Sequence, residues 1–111
     1  MALVIRFPAS ELPPGHARAY PAAGRTVMVY NLAGTFYATQ GLCPHEDLPL
    51  EGGRCIEHVI ECPWHGSRFN IGTGKVLTTP AEAGLRTYPV RVEGETVVVT
   101  IDDKIPNSQH Y

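Results

Sequence analysis

Short runs of β-branched and aromatic residues, separated by glycine and proline, dominate the pattern of apolar and polar positions along this chain. The runs cover residues 26–31, 35–40, 55–62, 88–93 and 96–101. Leu32, Ala33 and Gly34 are predicted to join the first two runs as a hairpin, and Gly94 lies in the turn of a second hairpin made by the last two. In the second hairpin the apolar side chains alternate, which predicts one apolar face on each strand.

The same pattern argues against helices. The 11 glycines and 10 prolines leave no uninterrupted helical period of three turns, and only residues 80–85 suggest a single helical turn. Residues 8–24 are predicted to be a proline-rich connector, and the polar tail at about 102–111 is predicted to be mobile. Short strands at this spacing predict an all-β fold, an antiparallel β-barrel or sandwich. The length of 111 residues suits one domain over residues 1–111.

Composition narrows the possible functions. A hydrophobic fraction of 43% with 18% charged residues is typical of a soluble globular protein, and the formal charge of -2 gives no cationic surface for nucleic acid. No apolar run approaches the ~18 residues of a membrane helix, and the N-terminus does not resemble a secretory signal. We therefore expect a cytoplasmic protein without membrane association, in which the three cysteines are metal ligands, catalytic thiols or buried side chains.

Two short loops each combine a cysteine with a histidine, CPH at 43–45 and CPWH at 62–65. Thiolates and imidazoles are ligands for both zinc and iron-sulfur clusters. The proline after each cysteine fixes φ at that position, and Gly66 after the second histidine allows a close approach of the backbone. Both loops are therefore predicted to have a fixed main-chain conformation. Zinc sites usually group Cys with Cys and His with His. The mixed loops suit a two-iron cluster in which one iron binds both thiolates and the other both imidazoles.

The spacing Cys-x-His, sixteen residues, then Cys-x-x-His resembles the signature of Rieske [2Fe-2S] proteins. CPWHGSRFNIGTGKV is similar to the second cluster loop and following hairpin of that family. ELPPG, GTFYAT, PLEGG and LRTYPVRVEGETVVV are similar to the soluble ferredoxins of bacterial aromatic ring-hydroxylating dioxygenase systems. The resemblance implies a small cluster-binding subdomain, about residues 41–70, on a larger antiparallel β base. It also implies that Cys43 and Cys62 bind the buried iron of one [2Fe-2S] cluster, while His45 and His65 bind the outer iron.

Residues beside the implied ligands indicate a soluble, low-potential branch of that family. Rieske subunits of respiratory and photosynthetic complexes carry a loop disulfide at the positions of Leu48 and Trp64, together with a membrane anchor, and this sequence shows neither. We expect Leu48 and Trp64 to pack together instead. Ser67 is a candidate hydroxyl donor to cluster sulfur, which would raise the potential, whereas Phe69 replaces a donating tyrosine of high-potential relatives. We predict a potential near or below the lower end of the roughly -150 to +300 mV Rieske range.

The resemblance implies an electron carrier rather than an enzyme. Such a carrier takes single electrons from a flavin-containing NAD(P)H-dependent reductase and passes them to a terminal Rieske non-haem iron oxygenase in the degradation of aromatic compounds. Because 46 residues follow His65, we expect the chain not to hold the additional mononuclear iron site of such an oxygenase. We expect a monomer that docks beside its exposed histidines through Glu46, Asp47, Pro63 and Trp64.

Other functions remain open from the residues alone. The chain could be the small Rieske subunit of another reductase, such as a nitrite reductase, or a structural zinc module, and a redox sensor is a third possibility. Glu51 extends the acidic patch of the first loop, where a solvated turn and a steering surface are equally compatible with the sequence. Cys55 is expected to be a free thiol and His58 a solvent-facing strand residue, and neither is assigned a function.

Overall fold

A computed structural model describes residues 3–22, 24–43, 49–63, 66–78 and 84–101. Within these ranges the regular structure is β-strand, apart from a 3-10 turn at Ala9–Glu11. The strands are β1 (Leu3–Pro8), β2 (Ala17–Ala22), β3 (Arg25–Leu32), β4 (Thr35–Gln40), β5 (Arg54–Ile56), β6 (Val59–Glu61), β7 (Arg68–Asn70), β8 (Thr87–Tyr88), β9 (Val90–Glu93) and β10 (Thr96–Ile101). All of the strand pairings are antiparallel. The predicted all-β class is confirmed.

The strands form three sheets, ordered β1-β10-β9, β2-β3-β4-β8 and β5-β6-β7. The first two sheets make up the base and share one buried core. That base core contains Phe7, Leu12, Val27, Val29, Ala38, Tyr88, Val97, Val99 and Ile101. The third sheet is the smallest and adjoins the cysteine loops. It shares a second core with β3, to which Ile60 and Phe69 belong.

Strand β3 is buried on both faces because it supplies alternate side chains to the two cores. Val27 and Val29 belong to the base core, and Met28 and Tyr30 belong to the second core. Successive side chains of a strand point to opposite faces, so a strand between two cores is apolar at consecutive positions. The apolar run in β3 thereby ties the third sheet to the base.

Both predicted hairpins exist, and the second differs in one respect. Strands β3 and β4 pair through to a tight turn at Ala33 and Gly34, which both have positive φ. The run 88–93 is not one strand, because Tyr88 pairs with β4 whereas β9 begins at Val90 and pairs with β10. Pro89 separates the two. A proline has no N–H to donate to a ladder, so the chain changes sheets at that point.

Two other predictions about organisation were wrong. Residues 8–24 are more than a connector, because they include β2, which pairs with β3 along its whole length. The run 55–62 is not one continuous strand, since it reverses between β5 and β6 with Glu57 at a φ of 55°. His58 therefore lies in a turn rather than a strand. It is exposed, and its ring meets that of Tyr37 edge-on at 5.7 Å between centroids.

Two predicted segments lie wholly or largely outside the described residues. The tail at 102–111 is one, and the possible helical turn at 80–85 is the other, with only its last two residues described. In the described part of the chain, no helix has the length and apolar character needed to cross a membrane.

Candidate metal centre

The second cysteine loop is closed at its base by main-chain hydrogen bonds. It connects β6 to β7, which pair with each other. The N–H of Cys62 donates to the carbonyl oxygen of Ser67 at 2.8 Å, and the N–H of Gly66 donates to the carbonyl oxygen of Cys62 at 3.1 Å. Gly66 has a φ of 76°, in the left-handed region that glycine adopts without steric cost. These contacts hold Cys62 at the start of a tight turn.

The first cysteine loop leaves β4 through Gly41 and Leu42 and also has a narrow base. Leu42 forms an isolated antiparallel bridge with Pro49, and the N–H of Leu50 donates to the carbonyl oxygen of Gly41 at 2.8 Å. Gly41 has no room for a side chain, because a Cβ there would lie 2.6 Å from Cγ2 of Thr26. Cys43 therefore begins its loop from a closely packed strand end.

Gly53 brings the bases of the two loops together. A Cβ on this residue would overlap the carbonyl oxygen of Glu61 and lie 3.2 Å from Cδ of Pro63. Its N–H donates to the carbonyl oxygen of Leu50 at 2.9 Å. The sequence reasoning missed this role. The adjacent pair Gly52-Gly53 was the available signal, but a close approach to Glu61 becomes visible only in the fold.

Cys43 and Cys62 belong to the same buried core. Each residue is 1% exposed, and neither forms a disulfide. Their neighbours in this core include Leu50, Ile60 and Phe69. Two reduced cysteines in one core, each at the base of its own loop, can supply the two thiolates that one iron of a mixed Cys-His cluster requires. The donor chemistry therefore fits a [2Fe-2S] cluster of the Rieske type.

Ser67 and Phe69 follow Cys62 closely, and both are 0% exposed. Phe69 packs in the core that holds both cysteines. Ser67 forms the far side of the second loop base, opposite Cys62. Ser67 thus brings a buried hydroxyl to the loop, whereas Phe69 adds only apolar surface. A buried hydroxyl close to cluster sulfur would stabilise the more negative reduced state.

Six of the predicted site residues lie outside the described residues: His45, Glu46, Asp47, Leu48, Trp64 and His65. Ligation by the two histidines, the acidic docking patch and the contact between Leu48 and Trp64 therefore stay predictions. Pro63, the remaining docking residue, is exposed at the start of the second loop.

The structure shows a hydrogen bond of Glu51 and a partly buried thiol of Cys55, neither of which was evident from the sequence. Oε2 of Glu51 accepts a hydrogen bond from the N–H of Ala19 at 3.3 Å, so this carboxylate contacts β2. Cys55 is exposed, yet the packing that partly surrounds its thiol raises the pKa of that group. A higher pKa lowers the thiolate fraction and with it the reactivity of Cys55.

Comparison with known proteins agrees with this donor chemistry. Residues 3–89 match the Rieske [2Fe-2S] domain family. The chain is 34% identical over 91 residues to the ferredoxin component of a naphthalene 1,2-dioxygenase system from Pseudomonas aeruginosa, covering 82% of this chain and 88% of that protein. It is 40% identical over 90 residues to the biphenyl dioxygenase ferredoxin subunit of Pseudomonas sp. (strain KKS102), covering 80% and 83%.

Among solved structures, the chain resembles one from the complex of reduced oxygenase and oxidized ferredoxin in carbazole 1,9a-dioxygenase. The TM-score is 0.84 at 33% sequence identity, and the match covers 94% of this chain and 96% of that one.

Proposed function

The chain belongs to the Rieske [2Fe-2S] domain family, and on that premise we propose that it carries single electrons from a flavin-containing NAD(P)H-dependent reductase to a terminal oxygenase. Its cofactor is one Rieske [2Fe-2S] cluster. The similar ferredoxins of naphthalene and biphenyl dioxygenase systems support an oxygenase that acts on aromatic compounds. The same similarity argues against a structural zinc module.

The observation that carries this proposal is the burial of two reduced cysteines, Cys43 and Cys62, in one apolar core. Cys43, Cys62, His45 and His65 would hold the cluster as its four protein ligands, which would leave no coordination position for a substrate. The chemistry available to such a site is gain and loss of one electron. This is the chemistry of a carrier and not of an oxygenase.

The burial of the two cysteines indicates which iron each ligand would bind. Cys43 and Cys62 would bind the inner iron, because both are almost fully buried. His45 and His65 follow these cysteines by two and three positions and would bind the outer iron, where their rings would offer an exit for the electron. We further propose that the carrier is a cytoplasmic monomer in which residues 41–70 form the cluster-binding part.

Docking would use the surface around the histidines, with Glu46 and Asp47 steering a basic partner and Pro63 contributing exposed apolar area. Replacing Glu46 and Asp47 by Gln and Asn should lower kcat/KM for reduction by the reductase at low salt and have less effect at high salt. The matched control is Glu95→Gln, because Glu95 is an exposed acid in the turn between β9 and β10 of the base.

Reconstitution tests the function itself. The holoprotein would be mixed with NADH or NADPH, the flavin reductase of a naphthalene or biphenyl dioxygenase system, and the matching oxygenase, in place of that system's own ferredoxin. We expect product formation that depends on this chain and ceases when it is omitted. A chain that accepts electrons from the reductase but passes none to any aromatic-ring oxygenase would contradict the proposed partner.

A further inference from the structure

Gln40 is the last residue of β4 and places a buried amide at the base of the first cysteine loop. The residue is 2% exposed. Its Nε2 donates to the carbonyl oxygen of Leu42 at 2.8 Å, and its Oε1 accepts from the main-chain N–H of Arg86 at 2.7 Å. The main-chain N–H of Gln40 also donates to the carbonyl oxygen of Arg86 at 2.9 Å. Since Leu42 directly precedes Cys43, this side chain joins the loop base to a distant segment of the chain.

Both ends of the Gln40 amide are needed. The N–H of Arg86 requires an acceptor and the carbonyl of Leu42 requires a donor, so the partners fix which end of the amide faces which group. A carboxylate at this position would oppose the carbonyl oxygen of Leu42 with a second acceptor. Two acceptors facing each other in a buried site lose a hydrogen bond and leave polar atoms unsatisfied.

The connection continues to the strand that follows the second cysteine loop. Leu85, next to Arg86, donates its N–H to the carbonyl oxygen of Gly74 at 2.7 Å, and Gly74 donates its N–H to the carbonyl oxygen of Asn70 at 2.7 Å. Asn70 is the last residue of β7, the strand that leaves the second loop. Gly74 has no space for a Cβ, which would overlap the carbonyl oxygen of Leu85. Gln40 therefore links the base of the first cysteine loop, through Arg86, Leu85 and Gly74, to the end of strand β7, which leaves the second cysteine loop.

We propose that Gln40 is a positioning residue for the [2Fe-2S] cluster, which it influences by fixing where Cys43 enters the site relative to Cys62. The inference rests on the proposed function, because it takes these two cysteines as ligands of one iron. In these hydrogen bonds the Gln40 amide engages Leu42 and Arg86, so its effect on Cys43 runs through the main chain of Leu42. Its loss would alter ligand geometry, and with it the electronic structure and the lifetime of the cluster.

The test compares Gln40→Glu with Asn31→Asp in the holoprotein. Asn31 is the matched control because it is also a buried strand amide, 4% exposed, with both ends engaged. Its Nδ2 donates to the carbonyl oxygen of Leu12 at 2.8 Å, and its Oδ1 accepts from the N–H of Gly34 at 2.8 Å. It lies at the opposite end of the β3–β4 hairpin from the cysteine loop. Both variants replace an amide by a carboxylate, so the general cost to folding is similar.

The readouts are the electron paramagnetic resonance spectrum of the reduced protein, the midpoint potential, and the rate of cluster loss to an iron chelator. Gln40→Glu should change the spectrum and the potential. It should also speed cluster loss about tenfold, the factor that corresponds to ~1.4 kcal/mol. Asn31→Asp should lower the unfolding midpoint and leave the spectrum and potential as in the wild type. If Gln40→Glu does not fold, Gln40→Met, which is similar in length and adds no charge, takes its place.

Equal changes in the two variants, or a Gln40 variant with the wild-type spectrum and rate of cluster loss, would overturn the inference. The proposed function fails by a different observation, namely wild-type protein that contains no Rieske cluster.

Discussion

Gly53 lies so close to the carbonyl oxygen of Glu61 that no side chain fits between them. This contact joins the segment after the first cysteine loop to the residue just before Cys62. The two loops are far apart in sequence, and their relative position depends on a few such approaches at their bases. Gly53 is not part of either Cys-His motif, yet its close packing against Glu61 helps to set the relative position of the two loops.

Gly53→Ala should therefore weaken cluster binding. The added methyl group must push apart the main chains of Leu50 and Glu61, at a cost of about 1–3 kcal/mol in the free energy of unfolding. Iron content per protein and the denaturant midpoint of the holoprotein should both fall. The control is Gly72→Ala, where a Cβ would meet its nearest neighbour at 3.4 Å. Similar losses in both variants would show that the Gly53 contact has no special role.

Replacing each cysteine singly distinguishes the cysteines that bind the cluster from the one that does not. Cys43→Ser and Cys62→Ser should each abolish the normal cluster, because serine is a harder ligand than thiolate and iron-sulfur clusters are held by thiolates. Cys55→Ser should keep the wild-type iron content and spectrum, since Cys55 is exposed on β5. Iron and sulfide analysis of the purified variants measures this. A Cys55 variant that loses its cluster would contradict the ligand assignment.

The reduction potential of the cluster should depend on whether positions 67 and 69 carry a hydroxyl group, as Ser67 does and Phe69 does not. Hydrogen bonds to cluster sulfur stabilise the reduced state, so Ser67→Ala should lower the potential and Phe69→Tyr should raise it. One hydrogen bond of ~1 kcal/mol corresponds to roughly 40 mV for a one-electron couple. Redox titration of the two variants beside the wild type provides the measurement. A shift of either variant in the opposite direction would refute the assignment of that hydroxyl.

Alkaline pH should destabilise the fold through Tyr30. Burial raises the pKa of its phenol, and its hydroxyl hydrogen-bonds Thr39 Oγ1 at 2.9 Å. The unfolded tyrosine ionises near pH 10 while the folded one stays neutral, so unfolding releases a proton above that pH. The free energy of unfolding should thus be insensitive to this group below about pH 10 and fall as the pH rises further.

The variant that isolates this effect is Tyr30→Phe. It should be less stable at neutral pH by about 1 kcal/mol, for the lost hydrogen bond, but its stability should decline less steeply above about pH 10. A smaller decline should persist because burial raises the pKa of Tyr20 to about 12. Denaturant titrations at several alkaline pH values would measure both slopes, and identical slopes would exclude Tyr30 as the source.

The sequence predicted the strands in which apolar residues are continuous or alternate with polar ones. It missed strand β2, whose proline and small residues do not favour a strand over a loop. Strands β3 and β10 are rich in β-branched residues because each is buried. Strand β2 was assigned to a connector because it contains Pro21 and small residues, yet it pairs fully with β3. The turn at Glu57 was missed because a non-glycine residue there adopts a positive φ, which local turn preferences do not favour.

The candidate site was predictable where a motif carries the chemistry. Cys43 and Cys62 were predicted as ligands from their spacing and residue type, and that ligation stays a prediction. The structure places both residues in one core. Gln40 could not have been identified in that way. Its importance comes from Arg86, 46 residues further along the chain, and a glutamine at the end of a strand has no local pattern that distinguishes it from a surface residue.

The most direct test of the central claim is electron paramagnetic resonance of the anaerobically purified protein before and after reduction with dithionite. We predict a reddish brown, silent oxidised form that on reduction gives a rhombic Rieske-type signal integrating to one unpaired electron per cluster. A colourless protein that contains zinc and gives no signal after reduction would contradict the account.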